Sequence, residues 1–232
     1  MALPEPYYQA DGITLYHGDC LEVAAALPKS DLLLTDPPFF MPAQHYSSRA
    51  AWQRSWGDTS VLGRWWGSVL DAVVPKLKAS GSAMCFCDDE SYPVFYPEFY
   101  RRFDLLAALV WDKGKIGMGA PWRHCHEFII SARWQNSKWC GSGGQPDILR
   151  HSSVNSSDRL HPVDKPISLL QELIATSTEP GDIVLDPFAG GGSTLLAARL
   201  AGRRAIGIEI EERYCEIAVQ RLAQGVLPLG VG

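Results

Sequence analysis

The chain has 232 residues, 46% of them hydrophobic, and a formal net charge of −5, which suits one α/β domain with a full core. No apolar run approaches the ~18–20 residues that a membrane helix needs, and the N-terminus lacks a basic-then-apolar signal, so a cytoplasmic protein with no membrane partner is expected. An acidic balance is unusual for a nucleic-acid partner, yet the charge is uneven: between Lys113 and Lys165, eight Lys/Arg stand against four Asp/Glu.

Short apolar runs at 13–16, 32–35, 83–87, 105–111, 127–131, 183–185 and 205–208 read as strands. Helical patterns lie at 20–27, 61–78, 91–102, 166–176, 193–201 and 211–223. In the last, Tyr214, Ile217, Ala218 and Leu222 line one face. This alternation predicts a mostly parallel sheet covered on both faces. Two stretches break it, 40–57 and 134–160, both long and without period. Segments of that kind are usually functional or disordered, and placed after strand ends they would lie over the carboxyl edge of the sheet, where α/β ligands bind. Trp65 and Trp66 fall on the helical pattern and read as core, whereas Trp52 and Trp56 lie in the first irregular stretch with Arg49 and Arg54.

The first chemistry-bearing motif, Asp36-Pro37-Pro38-Phe39, ends the run Leu32-Leu33-Leu34. An exocyclic amine on a purine or pyrimidine is a poor nucleophile, because its lone pair is delocalised into the ring. A carboxylate accepting one N–H and a backbone carbonyl accepting the other would favour tetrahedral nitrogen. Asp36 supplies the carboxylate and Pro37 the carbonyl. Pro37 and Pro38 stiffen the turn, as transition-state stabilisation requires. Phe39 would stack on a base drawn out of its duplex.

The second motif, Asp186-Pro187-Phe188-Ala189-Gly190-Gly191-Gly192-Ser193-Thr194, joins a strand to a helix. Glycines permit a sharp turn and a close backbone approach to a ligand, and the helix start offers free N–H groups to an anionic group. No Lys follows the glycines, which argues against a phosphate-gripping Walker loop, and the spacing is not GxGxxG. The next strand ends in Glu209, an acid placed to accept from ribose hydroxyls. The six cysteines include no CxxC pair, so no metal site is expected, and His124-Cys125-His126 lacks a second ligand cluster.

Taken together the two motifs resemble those of the S-adenosylmethionine-dependent DNA amino-methyltransferases, in the β group whose catalytic [DNS]PP[YF] motif precedes the cofactor motif. The resemblance extends to His161-Pro162-Val163-Asp164-Lys165-Pro166, similar to an element beside the cofactor, with Lys165 near the methionine carboxylate. Gly18-Asp19-Cys20 resembles the element whose Asp19 and Cys20 contact the adenine ring. The segment from Gly117-Met118-Gly119 to Arg123, with His126-Glu127, resembles the border of the target-base pocket.

The resemblance implies a Rossmann-like, seven-stranded sheet, mostly parallel with one antiparallel strand, in circularly permuted motif order. It implies a single domain over 1–232 with target-recognition segments at about 40–64 and 134–160. S-adenosyl-L-methionine would be held by Asp19, Cys20, Lys165, Asp186, Phe188, Ala189, Gly190, Gly192, Ser193, Thr194 and Glu209. The methyl would pass directly to adenine N6 in double-stranded DNA, in a bacterium or its phage, without metal or covalent intermediate. Arg49, Arg54, Lys113, Arg123, Arg150 and Arg159 are the candidates for DNA contact. Small members of the family often pair as homodimers. Asp at position 36 leans toward adenine; cytosine N4, an RNA or amide substrate, and a silent cofactor-binding module stay open as alternatives.

Overall fold

The computed structural model describes residues 3–39, 58–117, 121–154 and 164–224. The first part of the chain forms β1 (Tyr8–Ala10), β2 (Ile13–His17), α1 (Cys20–Val23), β3 (Ser30–Thr35), α2 (Thr59–Val73), β4 (Leu77–Cys87), α3 (Tyr92–Tyr100) and β5 (Leu105–Asp112). Then follow β6 (His126–Arg133), β7 (Ile148–Arg150), α4 (Ile167–Ser177), β8 (Ile183–Asp186), α5 (Ser193–Leu200), β9 (Arg204–Glu209) and α6 (Glu212–Gln224).

All strands join one sheet in the order β1-β2-β9-β8-β3-β4-β6-β5-β7. The central strands β2, β9, β8, β3 and β4 run parallel. β6 runs antiparallel between β4 and β5. The expectation of seven strands with one antiparallel fits the stretch from β2 to β5, and among the described residues the sheet has nine strands. The additions are two edge strands, β1 antiparallel on β2 and β7 parallel on β5. Each is three residues long, too short to show a period.

Alternation along the strands sorts the core into two layers. Leu33 faces α2 and α3, in a cluster holding Leu62, Trp66, Leu70, Phe95 and Phe99. Leu32 and Leu34 face the other way, toward Leu170, Ile174, Leu195 and Ala218 of α4, α5 and α6. A strand buried on both faces has to be apolar throughout, which is why β3 reads as an unbroken leucine run. α2 begins where Asp58 accepts from the Ser60 and Val61 N–H groups. It buries Leu62, Trp66, Val69, Leu70 and Val73 at helical spacing. The expected helix to residue 78 stops at Val73, because Pro75 lies in a 3₁₀ turn and β4 starts at Leu77.

The chain leaves β8 through α5 toward β9, and leaves β3 through α2 toward β4. β8 and β3 are neighbours, with Leu32 opposite Val184 and Leu33 opposite Leu185. Their connections diverge, so a crevice opens at their carboxyl ends. One placement differs from expectation. Because β6 is antiparallel, it ends at the opposite edge of the sheet, and 134–147 starts there. Trp134 packs on Phe103 with ring centroids 4.7 Å apart, and the Lys138 N–H donates to Ser80 O at 2.8 Å. Only at Arg150 does this stretch return to the carboxyl edge.

Candidate functional site

The two sequence motifs meet in the crevice. Thr35, last residue of β3, donates its hydroxyl to Asp186 Oδ1 at 2.9 Å, and the Phe188 N–H donates to the same oxygen at 3.1 Å. Thr194 also bonds the Asp186 carboxylate, which burial nonetheless pushes up to about 6. Asp186 is 2% exposed, and these bonds point inward. It fastens the glycine loop to β3 through bonds within the protein.

The loop after Asp186 turns through Gly190, with φ of 49°, and Gly192, with φ of 79°. At Gly192 the need for glycine is internal: a Cβ would sit 2.8 Å from Ala218 Cβ of α6. Glu209, at the end of β9, accepts from the Gly190 N–H and the Glu211 N–H, each at 2.8 Å. Burial raises its pKa. The Gly18 N–H donates to Glu209 O at 2.9 Å, bringing Gly18-Asp19-Cys20 alongside. There Asp19 caps α1 by accepting from the Leu21 N–H at 2.9 Å. Cys20 is buried in the core with its thiol pushed up to about 12, mainly by burial.

The hydroxyl of Ser193 is also engaged internally. It lies 3.1 Å from Asp164 Oδ1 and accepts from Arg221, while Arg221 pairs with Asp164 Oδ2 at 2.5 Å. This buried trio locks α5, α6 and the approach to α4. Sequence reasoning did not single out Arg221, although a basic residue on the apolar face of α6 was a signal. Ala189 is buried, and Phe188 packs against Trp65 of α2 with centroids 5.6 Å apart. Trp66 is fully buried, as expected from its helical position, while Trp65 is partly exposed.

Around Asp36 the groups are charged and enclosed. Lys165, 7% exposed, places its Nζ 2.5 Å from Asp36 Oδ2 and 3.2 Å from Glu127 Oε2. Glu127 Oε1 lies 2.7 Å from Lys113 Nζ. The Asp36 carboxyl is pushed up to about 6, first by burial, against the lowering pull of Lys165. Burial opposes charge on Lys165 as well, yet Asp36 and Glu127 together hold its pKa above the ordinary value. Asp36 Oδ1 is buried and has no hydrogen-bond partner among the described residues. Phe39 is half-buried against both core layers, with Lys165 Nζ 5.5 Å from its ring centroid. Lys165, expected beside a cofactor carboxylate, therefore sits on Asp36.

Of the DNA-contact candidates, Lys113 is spent on Glu127. Arg123 donates to Gly117 O at 2.7 Å in an exposed hairpin between β5 and β6. Arg150 is 78% exposed, 3.6 Å from Asp112. Trp122, missed in the sequence, is 89% exposed next to Arg123. Arg49, Arg54, Arg159, the residues 161–163, and most of 40–64 lie outside the described residues.

A family model described as DNA methylase matches residues 131–220. YubD of Escherichia coli (strain K12), provisionally named a methylase, is 33% identical over 211 residues, covering 89% of this chain and 88% of that protein. The DNA adenine methyltransferase YhdJ of Escherichia coli (strain K12) is 26% identical over 246 residues, covering 90% of this chain and 82% of YhdJ. Among solved structures, TTHA0409 of Thermus thermophilus, provisionally named a DNA modification methylase and complexed with S-adenosyl-L-methionine, superposes with a TM-score of 0.65. It is 25% identical and the match covers 92% of this chain and 96% of that one. The cytosine-N4-specific PvuII DNA methyltransferase shares the fold, with a TM-score of 0.77 at 19% identity over 98% of this chain and 91% of its own. With Asp36-Pro37-Pro38-Phe39 and the glycine loop joined in one crevice, these matches place the chain in a family: it belongs to the DNA methylases that modify exocyclic amino groups.

Proposed function

We propose that this chain transfers the methyl group of S-adenosyl-L-methionine to the exocyclic N6 of adenine in double-stranded DNA. The observation that carries the reading is the Asp36 carboxylate. One oxygen is held by a buried lysine, and the other, also buried, lacks a partner among the described residues. That is an acceptor awaiting a donor.

The cofactor side fits. Glu209 ends β9 beside a loop that turns at Gly190 and leads into α5. A carboxylate there suits ribose hydroxyls, and main-chain N–H groups at the helix start suit a carboxylate ligand. Gly190, Glu209, Asp19 and the Cys20 main chain would frame the cofactor. Phe188, Ala189, Gly192, Thr194 and Asp186 shape the loop around it, and Ser193 anchors it. When bound, the cofactor supplies an electrophilic methyl.

On the substrate side Asp36 Oδ1 accepts one N–H of the target amine and the Pro37 carbonyl the other. The amine then presents its lone pair instead of delocalising it. Phe39 offers its ring face to the base, and Pro38 keeps the turn rigid. Adenine is favoured over cytosine by Asp at position 36 and by the activity named for YhdJ. An extruded base implies a duplex, for which the exposed hairpin carrying Trp122, Arg123 and Lys115 is a suitable rim. Arg150 and the segments about 40–64 and 150–160 take the recognition role within one domain. A homodimer would extend the DNA covered, and the place of action would be the bacterial cytoplasm.

The test is transfer from labelled S-adenosyl-L-methionine to unmethylated duplex DNA, then digestion to nucleosides and mass spectrometry. N6-methyladenine is expected. N4-methylcytosine would overturn the base assignment, and no labelled nucleoside would overturn the reading.

A further inference from the structure

Four charged side chains form an alternating line beneath the catalytic loop: Asp36 after β3, Lys165 before α4, Glu127 in β6 and Lys113 after β5. Successive gaps are 2.5, 3.2 and 2.7 Å. Burying an unpaired ammonium is costly, and removing one partner of a buried pair is more so. Lys165 is 7% exposed, covered by the rings of Phe39 and Phe86 at 5.5 and 5.0 Å. Its place is therefore set by two carboxylates at once. Lys113 in turn balances the second carboxylate.

We propose that Lys165 and Glu127 are positioning residues for Asp36: the ammonium fixes Oδ2 so that Oδ1 is turned to the target amine, and Glu127 sets how strongly the ammonium pulls. This rests on the methyl-transfer reading above. It reassigns Lys165 from the cofactor to the amine side of the crevice. The ammonium is paired with Asp36 and Glu127, so its charge is balanced by these two protein carboxylates. Other groups face the cluster from neighbouring elements: Asp186 from β8, the thiols of Cys85 and Cys87 from β4, and Asp88 after β4. Of all these, Lys165 alone pulls the Asp36 carboxyl down, and Glu127 leads those that push it up after burial itself.

The pairing predicts shifts of opposite sign. Asp36 is the stronger acceptor when ionised, so transfer falls as pH drops through its pKa. Lys165→Met removes the cation, and the acidic limb of the single-turnover rate should move up by about one to three pH units. Glu127→Gln removes the opposing anion, and the limb should move down. Lys165→Arg should recover part of the Met variant's loss. Cofactor affinity, read by calorimetry, should stay near wild type in all three.

Limbs that do not move, or Lys165→Met losing cofactor affinity with its limb in place, would overturn the proposal. If the Met variant does not fold, carboxylate ¹³C titration of Asp36 in Glu127→Gln and wild type decides, with Asp36→Asn as assignment control. A lower Asp36 midpoint in the Gln variant supports the pairing, and an unchanged one rejects it. That titration needs no turnover. Wild-type protein silent on all DNA would therefore sink the methyl-transfer reading while the titration still judged the pairing.

Discussion

The hydroxyl of Thr35 donates to Asp186 Oδ1 at 2.9 Å, across 151 residues of sequence. One buried bond thus sets the spacing between the loop that holds Asp36 and the loop that leads to α5. Thr35→Val keeps the shape and removes the donor. It should cost about 1 to 3 kcal/mol of stability, read as a shift in urea midpoint. Turnover should drop more than either binding constant, because the defect lies in the alignment of two intact half-sites. Wild-type turnover in a folded Val variant would show that the bond is dispensable.

Asp36→Ala should lower methyl transfer by at least about 100-fold, the scale of losing a preorganised charged acceptor. Cofactor affinity should stay close to wild type, since Asp36 is held by Lys165 while Glu209 is held by the Gly190 and Glu211 N–H groups. Filter binding for the cofactor and single-turnover transfer to duplex DNA separate the two effects. Retained transfer would remove Asp36 from the mechanism.

Asp186 makes a prediction about stability. Its carboxyl is raised from 3.8 to about 6 by burial, so the folded chain holds that proton to higher pH than the unfolded chain. The stabilisation is fully present below about 4 and is lost as pH rises through about 6. A shift of this size corresponds to about 3 kcal/mol. Asp186→Asn should flatten the fall in stability between about pH 4 and 6, measured by urea unfolding without cofactor. Equal pH slopes in the two proteins would contradict the assignment.

The hairpin at the rim makes a prediction about DNA. Trp122→Ala should weaken duplex binding about tenfold, the lower range for a lost aromatic contact with a base. Arg123→Ala should weaken it and reduce the salt slope of log K by about one. Neither change should alter cofactor affinity. Fluorescence anisotropy at several salt concentrations checks both. Unchanged affinity in Trp122→Ala would place the DNA elsewhere.

The central sheet was legible because its strands are buried on both faces, and runs such as Leu32-Leu33-Leu34 leave little choice of state. The two loops were legible because proline and glycine constrain backbone in ways few other residues do. Charge partnership was not legible. Sequence order shows the chain neighbours of Lys165, which point it to the cofactor, and not the carboxylates that β3 and β6 carry to it. The same holds for Lys113, whose sequence surroundings suggest a DNA contact and hide Glu127. Ser193 and Asp186 illustrate a second limit. A motif tells which residues surround a ligand, but not which of them spend their hydrogen bonds on the loop itself. The antiparallel direction of β6 is a third: once that strand reverses, the segment after it begins at the wrong edge for a ligand.

The position of β9 has a consequence for synthesis. This strand, late in the chain, is inserted between β2 and β8, so the hairpin of β1 and β2 has no link to the rest of the sheet until β8 and β9 exist. Pairings across such separations are slow to form, and β2 leaves the ribosome long before its partner does. A nascent chain therefore carries its Asp-Pro-Pro-Phe loop without the acid at the end of β9 and without the glycine turn. The two halves of the crevice are therefore complete only after β9 has threaded between β2 and β8.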